Sequence, residues 1–395
     1  MYHFKMCILL ILLVSTYSLV NGFGLHGFTF KGLDGPQTVD TRAKDVQEKW
    51  LSQRLDHFNL RESSNWSMRY YENAAFLTQT GPIMIMLGGE WEIKPNFLTN
   101  GLMYDIAVAH GAIMYYTEHR YYGKSKPIEN ISEENLQYLN VDQALADIAY
   151  FIEEKKRELG KENAKVIVFG GSYAGNMAVW ARLKYPHLIQ GAVASSAPVY
   201  AKFGSINLFS IWFLEYNEIV ARSLRSYDEQ CPIDVKAAFD SVKELLAADG
   251  GAEKLKTYFK RWYYQTCTEY GYYSTTNSED SIFGSLVPLD YFLNICINLY
   301  GYYYDGELLK SRIRRTNLIY GGYKPEISNV IFTNGDVDPW HKLSVLLDLN
   351  ESTPAILIKG ASHCQDFMND FSTDLPDLRE ARKTVRKIIA KWITS

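Results

Sequence analysis

The sequence lacks an excess of charge of either sign. Among its 395 residues, lysine and arginine number 41 and aspartate and glutamate 45, which gives a formal net charge of −4. A nucleic-acid partner would require a basic surface, and nothing in this balance supports one. Internal repeats and low-complexity tracts are also absent, so neither a solenoid nor an extended disordered chain is indicated.

Long hydrophobic runs are absent apart from one short stretch at the N-terminus. Met6 to Val14 is apolar, follows Lys5 and precedes small and polar residues. A membrane-spanning helix needs roughly 20 apolar residues. The pattern therefore predicts a secretory signal peptide at 1–22, with cleavage between Ser18 and Gly22, no membrane anchor afterwards, and an extracellular or lysosomal location.

Cysteines are few, five in all, and Cys7 would leave with the signal peptide. The other four are Cys231, Cys267, Cys296 and Cys364, which permit three pairings in an oxidising compartment. Three Asn-X-Ser sequons agree with the secretory route and predict N-glycosylation at Asn65, Asn130 and Asn350.

The most informative stretch is KVIVFGGSYAGNMAVW, residues 165–180. Its apolar run predicts a buried parallel strand, and the residues after Gly175 have a helical pattern. Ser172 lies at the turn between them, the setting of a nucleophile elbow, which requires small residues such as Gly170 and Ala174 two positions away on each side. The alternative is a glycine-rich turn that carries a surface serine.

Strand and helix patterns alternate around this turn. We expect strands at 68–71, 82–87, 112–117, 189–196, 328–333 and 355–358, and helices at 98–110, 141–159 and 378–393. Residues 23–50 look polar and irregular. The alternation predicts an α/β fold with a mostly parallel sheet, whose core comprises 23–203 and 318–395. Residues 204–317 are aromatic-rich and lack a clear parallel strand, which predicts an inserted helical cap.

A serine nucleophile needs a histidine base and a carboxylate that orients it, and α/β-hydrolases supply them in the order serine, acid, histidine. The acid candidates, Asp336 and Asp338, follow the strand at 328–333. Asp338 is favoured because Pro339 holds it extended, whereas Asp336 suits a turn residue that bonds its own backbone. His363, in the loop after the last strand, is favoured as the base over His341.

Two further groups follow predicted strands. Gly88, Gly89 and Glu90 stand where α/β-hydrolases keep half of an oxyanion hole, although a double glycine after a strand is common. Glu118 and Arg120 follow the next strand, at the edge where open α/β sheets bind ligands. The alternative for Glu118 and Arg120, a buried ion pair that orients a loop, is favoured.

Several motifs occur together in order: LDHF, EHRYYGKSKP, LQYLNVDQALADIAYFI, GGSYAG, SSAPV, NGDVDPW and SHCQD. They resemble the S28 serine peptidases, the family of lysosomal Pro-X carboxypeptidase, dipeptidyl peptidase II and thymus-specific serine protease, over about residues 50–395. The His363–Cys364 pair is more similar to the thymus-specific branch. The resemblance implies an α/β-hydrolase fold and hydrolysis of peptides next to proline near a terminus, with no metal or organic cofactor.

The resemblance also implies roles for individual residues. Ser172, Asp338 and His363 would form the triad, and the oxyanion hole would use the backbone N–H of Tyr173 with that of Gly89 or Glu90. Glu90 could pair with a substrate amine and Arg120 with a substrate carboxylate, which leaves open the terminus that is read. Trp340 is a further candidate for substrate contact. A Cys267–Cys296 disulfide is implied by the family spacing.

The sequence departs from the family in the cap, where a helical stretch of the family pattern is absent near 259–261. Cys231, at the start of a helix predicted at 233–246, and Cys364 would lack their usual partners. We therefore expect a less stable form that is prone to disulfide-linked homodimers. A non-catalytic binding protein, its pocket lost with the cap, is the alternative to the peptidase; an esterase or lipase is disfavoured because no long apolar lid is present.

Overall fold

The structure, a computed structural model, describes residues 40–203, 260–275 and 287–394, with a few positions at 28–29, 32–33, 36, 219–220, 222–223 and 225. The predicted signal peptide, Cys231 and the helix predicted at 233–246 lie outside the described residues. The chain divides into two compact units. One comprises 31–200 and 320–395, and the other comprises 1–30 and 201–319.

The larger unit is built on an eight-stranded sheet. We label its strands β1 to β8 in chain order: Val46–Arg54, Asn65–Asn73, Ile83–Leu87, Ile113–Thr117, Val166–Gly171, Gly191–Ser195, Val330–Gly335 and Ala355–Ile358. Their spatial order is β1-β2-β4-β3-β5-β6-β7-β8. β2 is antiparallel to both β1 and β4, and every other neighbouring pair in this sheet is parallel. This is the mostly parallel sheet of an α/β-hydrolase fold.

The helices of this unit are α1 to α5 and α8: Asp40–Ala43, Leu102–His110, Glu133–Leu136, Val141–Glu158, Tyr173–Lys184 and Pro376–Thr394. Short 3₁₀ helices lie at Pro95–Leu98, Pro339–Leu343 and Gln365–Phe367. The central strands β3 to β7 are buried along their whole length. Such strands are covered on both faces, which explains their continuous apolar runs.

β1 corrects the expectation of irregular structure before residue 50. Its nine residues pair with β2 from Val46↔Asn73 to Arg54↔Asn65, although most of its side chains are exposed or only partly buried. An edge strand lacks the apolar alternation by which buried strands are recognised, so its backbone pairing with β2 decides its conformation.

The smaller unit contains α6, Leu289–Tyr300, and α7, Gly306–Tyr320, whose last residue belongs to the larger unit. A one-turn π-helix lies at Thr266–Tyr270. Cys267 and Cys296 form a disulfide whose Cα atoms are 5.8 Å apart, and both cysteines are buried. The Tyr273 ring stacks on Phe292 with ring centroids 4.8 Å apart, and its hydroxyl lies 3.2 Å from the Cys296 Sγ. No helix in the described part of the chain is long and apolar enough to cross a membrane.

We predict that Cys267→Ser, which opens a loop with a sequence separation of 29 residues, destabilises the smaller unit. In the chain-entropy model the loss is about 3 to 4 kcal/mol. The measurement is denaturant unfolding with the accessibility of tyrosines in this unit as the probe, and Thr268→Ser, one position away, is the control. Peptide mapping under non-reducing conditions that finds Cys267 or Cys296 alkylated in the wild type would contradict the premise.

Candidate active site

Ser172 occupies a strained turn between β5 and α5. Its backbone angles are φ 57° and ψ −129°, and only 6 % of the residue is exposed. A non-glycine residue persists at positive φ only where its surroundings over-determine it. Here the Ser172 N–H donates to the Ser195 carbonyl at 2.9 Å, and the Ser172 carbonyl accepts the amides of Gly175 and Asn176. The strand-turn-helix setting predicted from the sequence is therefore present.

The turn leaves no room for larger side chains. A Cβ atom at Gly170 would lie 2.0 Å from the Ala174 carbonyl oxygen, a distance that no packing adjustment can accommodate. Ala174 has no exposed surface. Small residues at both positions allow the end of β5 and the start of α5 to approach closely, which holds Ser172 at the tip of the turn.

Asp338 and His363 are joined by a hydrogen bond. The distance from His363 Nδ1 to Asp338 Oδ2 is 2.7 Å, and the other carboxylate oxygen accepts the Trp340 N–H at 3.0 Å. Asp338 is 1 % exposed. With the Nδ1 proton donated to Asp338, the basic lone pair of the imidazole is on Nε2, the tautomer that a general base requires.

Burial and the neighbouring groups have opposite effects on the pKa of His363. Burial lowers the pKa of the imidazole, but Asp338 and then Cys364 raise it, and the net result is a His363 pKa well above the ordinary value for histidine. A buried imidazolium next to a carboxylate is the form that appears when a histidine has taken a proton from a nucleophile.

The other candidates for acid and base have different partners. Asp336 Oδ1 accepts the Gly360 N–H at 2.6 Å, so Asp336 ties the loop after β7 to the loop after β8 rather than bonding its own backbone. His341 Nδ1 lies 2.5 Å from the Asp338 carbonyl oxygen within the 3₁₀ helix, and burial lowers the pKa of His341. In the described residues, only Asp338 among these carboxylates contacts His363.

The predicted oxyanion-hole residues follow neighbouring strands. Gly89 and Glu90 come after β3 and Tyr173 after β5, and these strands pair in parallel up to Met86↔Phe169. Tyr173 begins α5, and the first N–H groups of a helix have no acceptor within it and suit negative charge. The Tyr173 hydroxyl lies 3.1 Å from His119 Nε2, whose ring also bonds the Arg120 carbonyl.

The sequence does not predict the contact between His119 and Tyr173. Burial lowers the pKa of His119 to about 4, so the ring is neutral near pH 7, and its Nδ1–H donates to Arg120 while Nε2 accepts from Tyr173. The sequence signal was the position of His119 after a buried strand, beside Glu118 and Arg120. Its partner on α5 is 54 residues further along the chain.

Glu90 has an unusual environment. Its Oε2 atom is buried and makes no hydrogen bond within the described residues. Burial raises the pKa of Glu90 to about 7, while its own backbone N–H and the charge of His363 oppose this increase. A buried carboxylate that interacts electrostatically with His363 and has an oxygen without a hydrogen bond to the described residues can accept a cationic group from a bound molecule.

Arg120 is saturated by protein partners. Its Nε and Nη2 bond both oxygens of Asp147 at 2.7 and 2.8 Å, and its Nη1 bonds the carbonyls of Leu55 and Tyr138 at 3.0 Å. Arg120 is 0 % exposed. Asp147 also contacts His57 Nε2 at 2.7 Å. This geometry favours the buried ion pair that orients a loop over the substrate-carboxylate role.

Glu118 forms a similar internal pair. Its carboxylate bonds Arg69 through Oε1 at 2.5 Å and Oε2 at 3.1 Å, and Glu118 is 2 % exposed. It also accepts the amides of Ile93 and Lys124. Glu118 therefore connects β2, the segment after Glu90 and the loop after β4.

The remaining predicted positions differ in exposure: Trp340 and the three sequon asparagines reach the surface, whereas Cys364 is buried. Trp340 is partly exposed beside Asp338, and its substrate role stays a prediction. Asn65, Asn130 and Asn350 are all exposed, as glycosylation requires. Cys364 is a free thiol within the described residues but is 0 % exposed, so it is not available for an intermolecular disulfide in the folded protein. No cluster of three or more potential metal ligands occurs in the described part of the chain.

Comparison with known proteins identifies relatives that align with most of this chain. A family model described as "Serine carboxypeptidase S28" matches residues 53–261 and 258–385. Thymus-specific serine protease of Mus musculus is 30% identical over 484 residues, covering 95% of this chain and 91% of that protein. Lysosomal Pro-X carboxypeptidase of Mus musculus is 25% identical over 453 residues, covering 89% of this chain and 90% of that protein.

Among solved structures, an epoxide hydrolase from Vigna radiata matches with a TM-score of 0.44 and 13% identity, covering 89% of this chain and 98% of that chain. At this level of similarity the match carries no argument about function.

We predict that Ala174→Val impairs catalysis beyond its effect on stability. The added methyl groups have no space next to the Ser172 turn, which costs about 1 to 3 kcal/mol in a packed core. A displacement of Ser172 by about 1 Å should lower kcat about 100-fold. The measurement is kcat on a peptide substrate together with the melting temperature.

Ala178→Val is the matched control, since Ala178 lies one turn further along α5 and is equally buried. It should lower the melting temperature but retain kcat, and Ala174→Gly should remain active. If Ala174→Val and Ala178→Val have the same kcat, the packing of the turn does not position Ser172.

Proposed function

The chain belongs to the serine carboxypeptidase S28 family, and from this premise we propose that it is a secreted or lysosomal exopeptidase that cleaves next to proline near one end of a peptide. Family membership makes it a serine-type peptidase that acts on peptides. The preference for proline, the terminus that is read, the catalytic residues and the location are the proposal.

The observation that carries the proposal is the hydrogen bond of 2.7 Å between Asp338 and His363, in a chain that also holds Ser172 in a strained elbow. Asp338 accepts the hydrogen bond from His363 Nδ1–H and so holds that proton on Nδ1. Nε2 of His363 is then free to take the proton of the Ser172 hydroxyl as the serine oxygen attacks the scissile carbonyl. The N–H groups of Tyr173 and of Gly89 or Glu90 stabilise the oxyanion.

The tetrahedral intermediate then collapses to an acyl-enzyme. His363 gives its proton to the leaving amine, and the bond between the carbonyl carbon and the amine nitrogen breaks. Water repeats the sequence: His363 removes a proton from the water, the hydroxide attacks the ester, and Ser172 regains its proton. Asp338, which raises the pKa of His363, stabilises the imidazolium that exists between the two proton transfers.

Proline specificity and location are supported by the names of relatives. One relative is called a Pro-X carboxypeptidase and is described as lysosomal. The three exposed sequons and the apolar stretch at the N-terminus are consistent with passage through the secretory pathway. Proline-containing peptides are therefore the first substrates to test.

The amino terminus of the peptide is the end that this site is best suited to read. Of the two charged candidates, Arg120 uses its guanidinium on Asp147 and on backbone carbonyls, whereas Glu90 retains a buried oxygen without a hydrogen bond to the described residues. An α-ammonium group would supply the missing partner of that oxygen.

A shortened cap is also part of the proposal. The family model matches in two segments that meet at 258–261, and the alignment with the mouse thymus-specific protease spans 484 positions, more than the 395 residues of this chain. Both features support the absence of a stretch that relatives contain. A purely binding role is not favoured, because a non-catalytic protein has no need of the Asp338–His363 tautomer.

We predict that Ser172, Asp338 and His363 act as one unit. Ser172→Ala and His363→Ala should each lower kcat by about 10⁴-fold or more, and the double variant should lose little beyond that, since cooperating residues are non-additive. Asp338→Asn should leave KM nearly unchanged while kcat decreases about 10⁴-fold, because the wrong tautomer is favoured.

The measurement is hydrolysis of a proline peptide combined with labelling by a fluorophosphonate, which reacts only with an activated serine. Asp336→Asn and His341→Ala are the controls and should retain labelling. Wild-type protein that is not labelled would refute the proposal, and loss of labelling in His341→Ala but not His363→Ala would refute the assignment.

We predict that Glu90→Gln weakens binding of peptides with a free amino terminus. A charge-assisted hydrogen bond contributes about 1.5 to 3 kcal/mol, so KM should rise about 10- to 100-fold. Because burial raises the pKa of Glu90 to about 7, protonation below that pH should also raise the wild-type KM. Glu90→Gln should remove this pH dependence.

Glu92→Gln is the control, since Glu92 lies two residues away with a side chain 53% exposed. The substrates are matched proline peptides, one acetylated at the amino end and one amidated at the carboxyl end. If the acetylated peptide is cleaved as well as the free one, or if Glu90→Gln and Glu92→Gln have the same KM, amine recognition by Glu90 is wrong.

A further inference from the structure

The carbonyl end of β6 connects the nucleophile to the histidine loop. The Ser195 carbonyl accepts the backbone N–H of Ser172 at 2.9 Å and also the thiol of Cys364 at 3.6 Å. Cys364 directly follows His363. One carbonyl group therefore contacts both the residue proposed as the nucleophile and the neighbour of the residue proposed as the base.

Ser196 adds a second connection to the same loop. Its hydroxyl accepts the Cys364 N–H at 3.0 Å, and its own N–H donates to the Thr333 carbonyl on β7 at 2.7 Å. Both Cys364 and Ser196 have positive φ, 53° and 49°. The backbone on both sides of this contact is in a conformation that side chains rarely adopt, so it depends on these hydrogen bonds.

Asp366 completes the arrangement from within the histidine loop. One of its carboxylate oxygens accepts the hydroxyl of Ser195, and the other accepts the hydroxyl of Thr333 at 2.8 Å. Asp366 is 3 % exposed, and Ser195 and Thr333 are not exposed. The two carboxylate oxygens of Asp366 therefore accept hydrogen bonds from the last residue of β6 and from a central residue of β7.

The backbone of the loop is held from the other side by α8. Arg382, which is 1 % exposed, donates from Nε to the Asp366 carbonyl at 2.9 Å and from Nη2 to the Gln365 carbonyl at 2.8 Å. The segment that contains His363 is therefore fixed by two strands and a helix.

A buried carboxylate is costly to keep, and none of the proposed chemical steps uses Asp366. Burial raises the pKa of Asp366, and the two hydroxyl groups and Arg382 oppose this increase. Two apolar contacts of the same shape would be less costly to bury. Asp366 has a geometric property that apolar contacts lack, because its two oxygens impose direction and distance on β6 and β7 at once.

We propose that Asp366 is a positioning residue for catalysis, which uses Ser195 and Thr333 to hold the His363 loop in register with the Ser172 turn and with the strand that leads to Asp338. The inference rests on the proposed triad. His363 reaches Asp338 through one hydrogen bond, so the placement of its backbone decides whether its ring meets both partners.

The test removes one bond to Asp366 without changing the shape of the side chain that forms it. Thr333→Val deletes the hydroxyl, and Thr333→Ser retains it. Thr353→Val is the matched control, because Thr353 is also 0 % exposed and its hydroxyl donates to the Ile327 carbonyl at 3.1 Å, next to β7 and β8. A purely structural role predicts the same outcome for both valine variants.

We expect Thr333→Val to lower both kcat and the rate of fluorophosphonate labelling about 10-fold with KM within about twofold, as a small displacement of the base would. Thr333→Ser should restore most of the rate. Thr353→Val should lower the melting temperature by a similar amount and retain kcat. Wild-type kcat in Thr333→Val, or an equal loss in Thr353→Val, would overturn the inference.

Two further measurements cover the remaining outcomes. If Thr333→Val does not fold, Ser195→Ala removes the other hydroxyl from Asp366 and should give the same 10-fold loss; a wild-type rate would overturn the inference.

The proton between His363 and Asp338 gives a downfield nuclear magnetic resonance signal, which should broaden in Thr333→Val but not in Thr353→Val. This signal does not depend on substrate, so it tests Asp366 even if the wild type is not labelled and the proposed function fails.

Discussion

The strained backbone of Ser172 is the constraint around which the site is arranged. A residue at φ 57° stays there because the amide and carbonyl on either side are bonded and because Gly170 admits no side chain. The turn requires β5 and α5 to approach closely, and it projects the serine beyond the carboxyl edge of the sheet. The other residues of the proposed site lie in loops that follow strands of the same sheet.

Buried charges hold this edge together. Arg69 with Glu118 and Arg120 with Asp147 are nearly inaccessible to solvent, and each pair also bonds backbone groups of nearby loops. Removing one partner of such a pair leaves an uncompensated buried charge, which is strongly destabilising. The two ion pairs fix the segments that carry Glu90 and His119. Charged residues at the ends of these strands therefore have a structural role and do not need to face a ligand.

Asp366 and Asp338 have different hydrogen-bond partners although both are buried carboxylates in loops after late strands. Asp338 contacts the imidazole of His363 directly, whereas Asp366 contacts hydroxyl groups of β6 and β7. A carboxylate beside an imidazole raises the pKa of the imidazole, whereas the two hydroxyl groups bonded to Asp366 fix the geometry of that carboxyl group and oppose the rise in its pKa.

The local features were readable from the sequence because they depend on residues close together in the chain. The apolar run at 166–169, the glycines around it and the helical pattern after it predicted the elbow, and the continuous apolar runs predicted the central parallel strands. The edge strand β1 was not predicted, since its conformation depends on pairing with β2 rather than on its own pattern.

By itself, the sequence determined the class of fold and a short set of candidates: one serine, two aspartates and two histidines. Only the tertiary structure decided that Asp338 contacts His363, that Arg120 forms an ion pair with Asp147 and that Asp366 bonds residues of two strands. The physical reason is that these hydrogen bonds connect residues 25 to 171 positions apart. Their formation depends on strand order and loop path, and local propensity carries no information about either.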